Sequence, residues 1–189
     1  MEDFLIIGGG IIGLLTAREL ASAGASVTLL EKGTTGRESS WAGGGIVSPL
    51  YPWRYAQAVT RLASWSQRHF PELCEQLHEA SGVDPEYTRN GMLILDAEES
   101  QTATQWATGN GNELQLIDRT TIAGLEPGMA SPPDRALWLS QVAQVRNPRL
   151  ARAARLALEG KVRLVENAGV EEILIRNGRA VGARTADTD

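Results

Sequence analysis

The sequence predicts an α/β fold organised on a parallel sheet, and three observations carry that prediction. Residues 3–7 are a short apolar run halted by Gly8, as in a strand buried on both faces. From Ile11 to Ala23 the apolar positions follow a helical period, through Ile12, Leu15, Leu20 and Ala23, and Gly24 supplies a helix-ending glycine. Residues 26–30 are a second apolar strand. Strand, helix and strand within about 30 residues form a β-α-β unit, whose crossover is expected to be right-handed.

The remaining elements follow in order. Residues 33–53 are rich in Gly, Ser and Thr and read as loop with one short strand. Residues 54–80 read as helix, with Val59, Leu62, Ala63, Phe70, Leu73 and Leu77 as one apolar stripe and Pro71 as a kink or break. A strand at 91–95, a polar helix at 98–108 and a strand at 114–117 come next. Asp118 caps a helical turn that stops before Pro127, and a strand follows at 136–139. Asn147 then Pro148 reads as a capping side chain ahead of a first-turn proline, opening a helix that Gly160 ends. A strand at 162–165 precedes a hairpin in which 170–176 and 179–185 flank Asn177-Gly178, a dipeptide suited to a type I′ turn.

Composition narrows the function classes. The 189 residues hold 18 Lys and Arg against 23 Asp and Glu, a formal net charge of −5, with 42% apolar and 22% charged residues. That mixture supports a packed core. It argues against nucleic-acid wrapping, which needs concentrated positive charge, and there is no polybasic membrane patch. No apolar run reaches the ~18 residues of a membrane-spanning helix, and the acidic Glu2 and Asp3 do not resemble a signal peptide. The single cysteine, Cys74, excludes an internal disulfide or a cysteine metal cage and points to a reducing compartment, taken as the cytoplasm.

Chemistry concentrates in two glycine clusters. Gly8-Gly9-Gly10-Ile11-Ile12-Gly13 is a G-x-G-x-x-G motif placed directly after a strand and at the start of a helix. Gly8 permits the tight turn, Gly10 lets the backbone approach a pyrophosphate, and Gly13 lets helix and strand pack closely. The helix N-terminus then offers N–H groups and a positive dipole end. Glu31 ends the second strand, 18 residues after Gly13, where a carboxylate can accept ribose hydroxyls and disfavour a 2′-phosphate. The second cluster, Ser39-Ser40-Trp41-Ala42-Gly43-Gly44-Gly45-Ile46, leaves bare backbone against which a flat ring can lie, with two serine hydroxyls directed to phosphates.

With these residues in view, the sequence resembles the FAD-dependent D-amino-acid oxidase superfamily, most closely the glycine oxidase of thiamine biosynthesis. The resemblance rests on Ile7 to Gly13, Leu30-Glu31-Lys32-Gly33, and Ser39-Ser40 with the run to Ile46. It continues through Ser81 to Asp84, Asn90-Gly91-Met92 and Val145 to Pro148. It implies a Rossmann-like FAD-binding sheet (residues 1–50 and 145–189) and the start of a discontinuous α+β substrate domain (51–144). It also implies FAD as cofactor. Gly8, Gly10, Ile11, Ile12 and Gly13 would meet the pyrophosphate, and Glu31 would hold the adenosine ribose with Lys32 beside it. Ser39 and Ser40 would lie along the phosphates, Gly43, Gly44, Gly45 and Ile46 near the flavin, and Val170 would use its backbone to contact the adenine.

The activity so implied is oxidation of glycine or another small amine to the imine, with O₂ returning the flavin to its oxidised state and yielding H₂O₂. The family's substrate-carboxylate arginine and tyrosine belong to a later half, so the chain reads as the front, truncated part of an enzyme and is expected to be inactive alone. Sarcosine oxidase and D-amino-acid dehydrogenase types, and a non-catalytic FAD- or ADP-binding piece, are the alternative readings. A nicotinamide dehydrogenase would share Gly8–Gly13 and Glu31 but leave the run from Ala42 to Gly45 without a role. No catalytic side chain is assigned and no metal is expected: His69 and His78 lie nine apart, and Asp84, Glu86 and Asp96 form no credible carboxylate pair. Arg149, Arg152 and Arg155 read as a solvated helix face, and a homo-oligomer is compatible with the sequence.

Overall fold

A computed structural model describes residues 2–186; the last three residues of the expected 145–189 segment lie outside the described residues. The chain divides into two compact units. Unit 1 is Met1–Gly44, Leu73–Glu86 and Arg146–Asp189, and unit 2 is Gly45–Glu72 and Tyr87–Val145.

Unit 1 carries the predicted β-α-β element: β1 (Phe4–Ile7), α1 (Ile11–Ser22) and β2 (Val27–Leu30). The two strands run parallel with Phe4 opposite Val27 and Ile7 opposite Leu30. The end of α1 is a Schellman closure, with Ala25 N donating to Leu20 O at 3.1 Å and Gly24 N to Ala21 O at 3.0 Å. Gly24 takes φ +88°, which explains the glycine there. The helix turns Leu14 and Ala17 inward, whereas Ile12 is 77% exposed, so the predicted apolar face is rotated in the first turn. A third strand, β6 (Arg163–Val165), adds parallel to β2, giving the order β1-β2-β6. α6 (Asn147–Leu156) packs against α1 and against α2 (Ser39–Ala42), burying Leu150, Ala153 and Ala154.

Two local expectations change. Arg146, not Asn147, is the residue before α6, and no side chain caps that helix; Pro148 does occupy the first turn, and Asn147 instead turns its amide to Gly43. The loop 33–53 holds α2 and a short 3₁₀ turn (Pro52–Arg54), and its expected strand reduces to a single bridge between Ile46 and Gln144. The hairpin β7 (Val170–Arg176) and β8 (Arg179–Thr185) has the predicted bounds. Asn177 (φ 52°) and Gly178 (φ 74°) are both left-handed, as a type I′ turn requires.

Unit 2 is built on an antiparallel sheet in the order β3-β5-β4, with β3 (Met92–Ile94), β4 (Gln115–Asp118) and β5 (Arg135–Leu139). Its core gathers Trp53, Ile94, Ala103, Leu137, Leu139 and Val142. Gly91 must be glycine: at φ +76° a Cβ would meet the Trp138 ring at 1.9 Å. Asp118 caps α5 (Arg119–Leu125) as expected, accepting from Thr121 N at 2.9 Å. α4 (Ser100–Asn110) ends on Gly111 in the left-handed region.

α3 (Gln57–Ser81) is one continuous helix through Pro71, so the proline does not divide it. The predicted apolar stripe fails in its first half, where Val59 is 41% and Leu62 70% exposed; Thr60 is the buried residue there. In its second half Cys74 and Leu77 are buried within unit 1.

Candidate cofactor-binding site

Three loops of unit 1 converge at the carboxyl ends of its parallel strands. β1 delivers Gly8, whose N–H donates to Leu30 O at 2.8 Å while its φ of +107° turns the chain away from the strand. Five residues further, Gly13 lies so close beneath that turn that a Cβ would stand 2.0 Å from Gly8 O. The third glycine is thus a packing requirement of helix on strand.

β2 delivers Glu31, which is 8% exposed. Its carboxylate accepts from Gly9 N at 2.6 Å and from Gly33 N at 2.9 Å, bracing both loops. Each carboxylate oxygen keeps a further lone pair, so the group can still accept hydroxyls. The loop after β2 is tied down by Gly36 N donating to Gly9 O at 2.9 Å and by Thr35 N donating to Glu166 Oε1 at 2.7 Å. Those Thr35 hydrogen bonds, with Arg155 nearby, hold the Glu166 carboxyl below its ordinary range despite partial burial. The third loop follows β6: Ala168 N donates to Glu31 O at 2.8 Å and Asn167 N to Gly33 O at 3.1 Å.

Between these loops lies a cavity of about 440 Å³. Of the predicted residues, Gly8, Gly10, Glu31, Lys32, Ser39, Ser40 and Val170 line it. Ile11 and Ile12 open onto a neighbouring recess with Ser39, Ser40 and Asn147. Ser40 joins the two, since its Oγ accepts from Ile11 N at 2.8 Å. Lys32 is exposed and paired with Glu38 at 2.8 Å; that contact raises its pKa and engages its charge. Gly13 supports the turn from behind. Gly43, Gly44, Gly45 and Ile46 line neither space, and the unit boundary falls between Gly44 and Gly45.

The cavity also involves residues the motif reading did not select: Thr34, Gly36, Arg37, Glu38, Ala168 and Gly169. Gly36 takes φ +71° with a Cβ position 2.9 Å from Ala151, a forced turn that the sequence marks only by the glycine itself.

The residues fit a dinucleotide. Gly10 supplies no side-chain cap to α1 and no acidic residue sits in its first turn; Ile11 N is taken by Ser40 Oγ, and the dipole end with the N–H groups that follow Ile11 faces phosphate oxygens. The bare Gly8–Gly10 backbone permits close approach, and Glu31 presents a buried acceptor for a ribose. Among the described residues no cluster of His, Cys, Asp and Glu could hold a metal ion, and no helix is long and apolar enough to cross a membrane.

Comparison with known proteins agrees with this geometry. Residues 3–189 match the DAO family, described as FAD dependent oxidoreductase. A glycine oxidase of Pseudomonas aeruginosa is 46% identical over 187 residues, which are 98% of this chain and 51% of that protein. A glycine oxidase of Pseudomonas putida is 43% identical over 188 residues, covering 98% and 52%. The crystal structure of glycine oxidase from Bacillus cereus superposes with a TM-score of 0.89 at 27% identity, covering all of this chain and 52% of that one. The chain thus spans about half the length of the relatives it matches.

Proposed function

The chain belongs to the DAO family of FAD dependent oxidoreductases, and from that premise we propose that it forms the FAD-holding part of an enzyme that oxidises glycine or a comparably small amine. The observation that carries this reading is the Glu31 carboxylate, braced by Gly9 and Gly33 beside the α1 N-terminus and facing the 440 Å³ cavity.

FAD held here would supply two-electron redox chemistry, suited to oxidising a small amine to its imine with O₂ reduced to H₂O₂. The chain's own part is placement. The first turn of α1 and the Gly8–Gly10 backbone hold the pyrophosphate, and Ser39 and Ser40 lie beside it. Glu31 accepts the ribose hydroxyls, and the Val170 backbone borders the adenine. Arg37, on the cavity rim, adds positive charge toward the phosphates. Gly43 to Ile46 provide bare backbone for the ring. In this proposal residues 1–50 and 145–189 form the FAD-binding portion, and 51–144 begin the substrate portion. The buried lone thiol of Cys74 suits a reducing, cytoplasmic setting.

The test is the visible spectrum of the purified protein, followed by identification of any cofactor released on denaturation. A flavin spectrum with FAD released supports the reading. Absence of flavin after FAD is added, in this chain and in a longer version that includes the relatives' second half, overturns it. Anaerobic bleaching of the longer protein's flavin by glycine, compared with sarcosine and D-alanine, then reads the substrate.

A further inference from the structure

Unit 2 contains a second cavity, of about 240 Å³, whose polar lining includes Gln67, Arg68, Tyr87, Arg89 and Gln141. No aspartate or glutamate lines it, although acidic residues outnumber basic ones in the chain by 23 to 18. Elsewhere in the same unit Arg54 and Arg119 rest on Glu99 and Asp134, at 2.9 and 2.8 Å. Two guanidinium groups at one cavity without a lining carboxylate form a surplus of donors and positive charge.

The walls are preformed. Val47 N donates to Ala143 O at 2.9 Å, and Thr88 and Gln144 exchange two backbone hydrogen bonds at 2.9 Å, which holds the segment bearing Tyr87 and Arg89. Gln67 Nε2 is committed to Val47 O at 2.8 Å. The Tyr87 ring is backed by Phe70, stacked at 6.5 Å. Val47, Ala143 and the Tyr87 ring give the cavity an apolar share of its lining beside its cations.

We propose that this cavity binds a small organic carboxylate. Arg68 and Arg89 take the carboxylate oxygens, in the planar geometry that guanidinium and carboxylate share. The carbon chain lies against Val47, Ala143 and Tyr87. A carbon-bearing acid suits the site better than inorganic phosphate because a share of the cavity lining is apolar. The site shares no lining residue with the cofactor cavity, so it stands or falls independently of FAD binding.

The test is calorimetric titration of the purified protein with succinate, with uncharged succinamide of the same shape, and with inorganic phosphate. Saturable succinate binding, no succinamide binding and weaker phosphate binding are expected. Arg68→Gln and Arg89→Gln should each weaken succinate by about tenfold or more, with FAD binding unchanged. Arg68→Lys, which keeps the charge on an exposed position, should recover part of the loss. No saturable succinate binding to the wild-type protein overturns the proposal. So does equal affinity for succinamide or phosphate, or succinate binding that survives the Arg68→Gln/Arg89→Gln double change.

Discussion

Gly9 N donates to Glu31 Oε2 at 2.6 Å, so the residue assigned to the ribose also fixes the glycine loop assigned to the pyrophosphate. One carboxylate serves both shape and recognition. Glu31→Gln keeps the size of the side chain but loses charge and one acceptor. It should lower stability by about 1–3 kcal/mol, as for the loss of hydrogen bonds to a charged group, and weaken FAD at least tenfold. Urea unfolding and FAD titration, run on the same sample, measure the two effects. A change in FAD affinity without any change in stability would show that the brace on Gly9 carries no load.

Gly13 and Gly44 separate packing from recognition. A Cβ on Gly13 would meet Gly8 O at 2.0 Å, whereas one on Gly44 would meet nothing within 4 Å. Gly13→Ala should therefore cost about 1–3 kcal/mol or more through forced separation of α1 from β1. Gly44→Ala should stay within about 0.5 kcal/mol of wild type, as ordinary surface changes do. If the flavin lies against residues 43–46, Gly44→Ala should nevertheless weaken FAD. Thermal unfolding and FAD titration distinguish the two.

Cys74 should be chemically silent in the folded protein. Burial, aided by the negative charge of Asp84, pushes its thiol up to about 11 from an ordinary 9.0. The native thiol is therefore protonated at pH 8, and a disulfide reagent should react far faster after unfolding than before. The sign for stability follows from a raised folded-state value. The contribution is complete below about pH 9 and is lost as pH rises toward 11. Cys74→Ala should flatten that alkaline limb.

The acid limb should report on Glu166. Its folded-state pKa is depressed by the Thr35 hydrogen bonds, so it contributes stability above its ordinary value of 4.5. That contribution disappears as pH falls through the lower folded-state value, when protonation removes the charged acceptor. Glu166→Gln should reduce stability at neutral pH and shrink the loss on acidification below pH 4.5. Equal acid limbs in variant and wild type would refute the assignment.

The β-α-β unit, the Asn177-Gly178 hairpin and the Asp118 cap were legible because each depends on residues close in sequence. A left-handed turn or a capping oxygen is decided within four residues. α3 was misread in its first half because periodicity locates an apolar face without showing whether anything covers it: Val59 and Leu62 keep the helical spacing and remain exposed. In the site, Gly8, Gly10 and Glu31 were readable from one continuous motif. The contributions of Ala168 and Gly169 to the cavity, and of Glu166 to the Thr35 loop, were not, because they arrive after strand β6, and a three-residue strand carries no signal for its partner. The Arg68–Arg89 cavity was invisible for a related reason, since its charges come from a helix and from a segment about twenty residues later.

The position of β6 also sets an order of events during synthesis. Thr28 of β2 is opposite Arg163, so the third strand of the sheet is 135 residues downstream of its neighbour. At 5–20 residues per second the exposed edge of β2 waits roughly 7 to 27 s for its partner to be made. During that interval unit 2 is completed first, because all of it lies before Arg146. The glycine loop and Glu31 therefore emerge early from the ribosome, whereas Ala168 to Val170, which border the same cavity, emerge late.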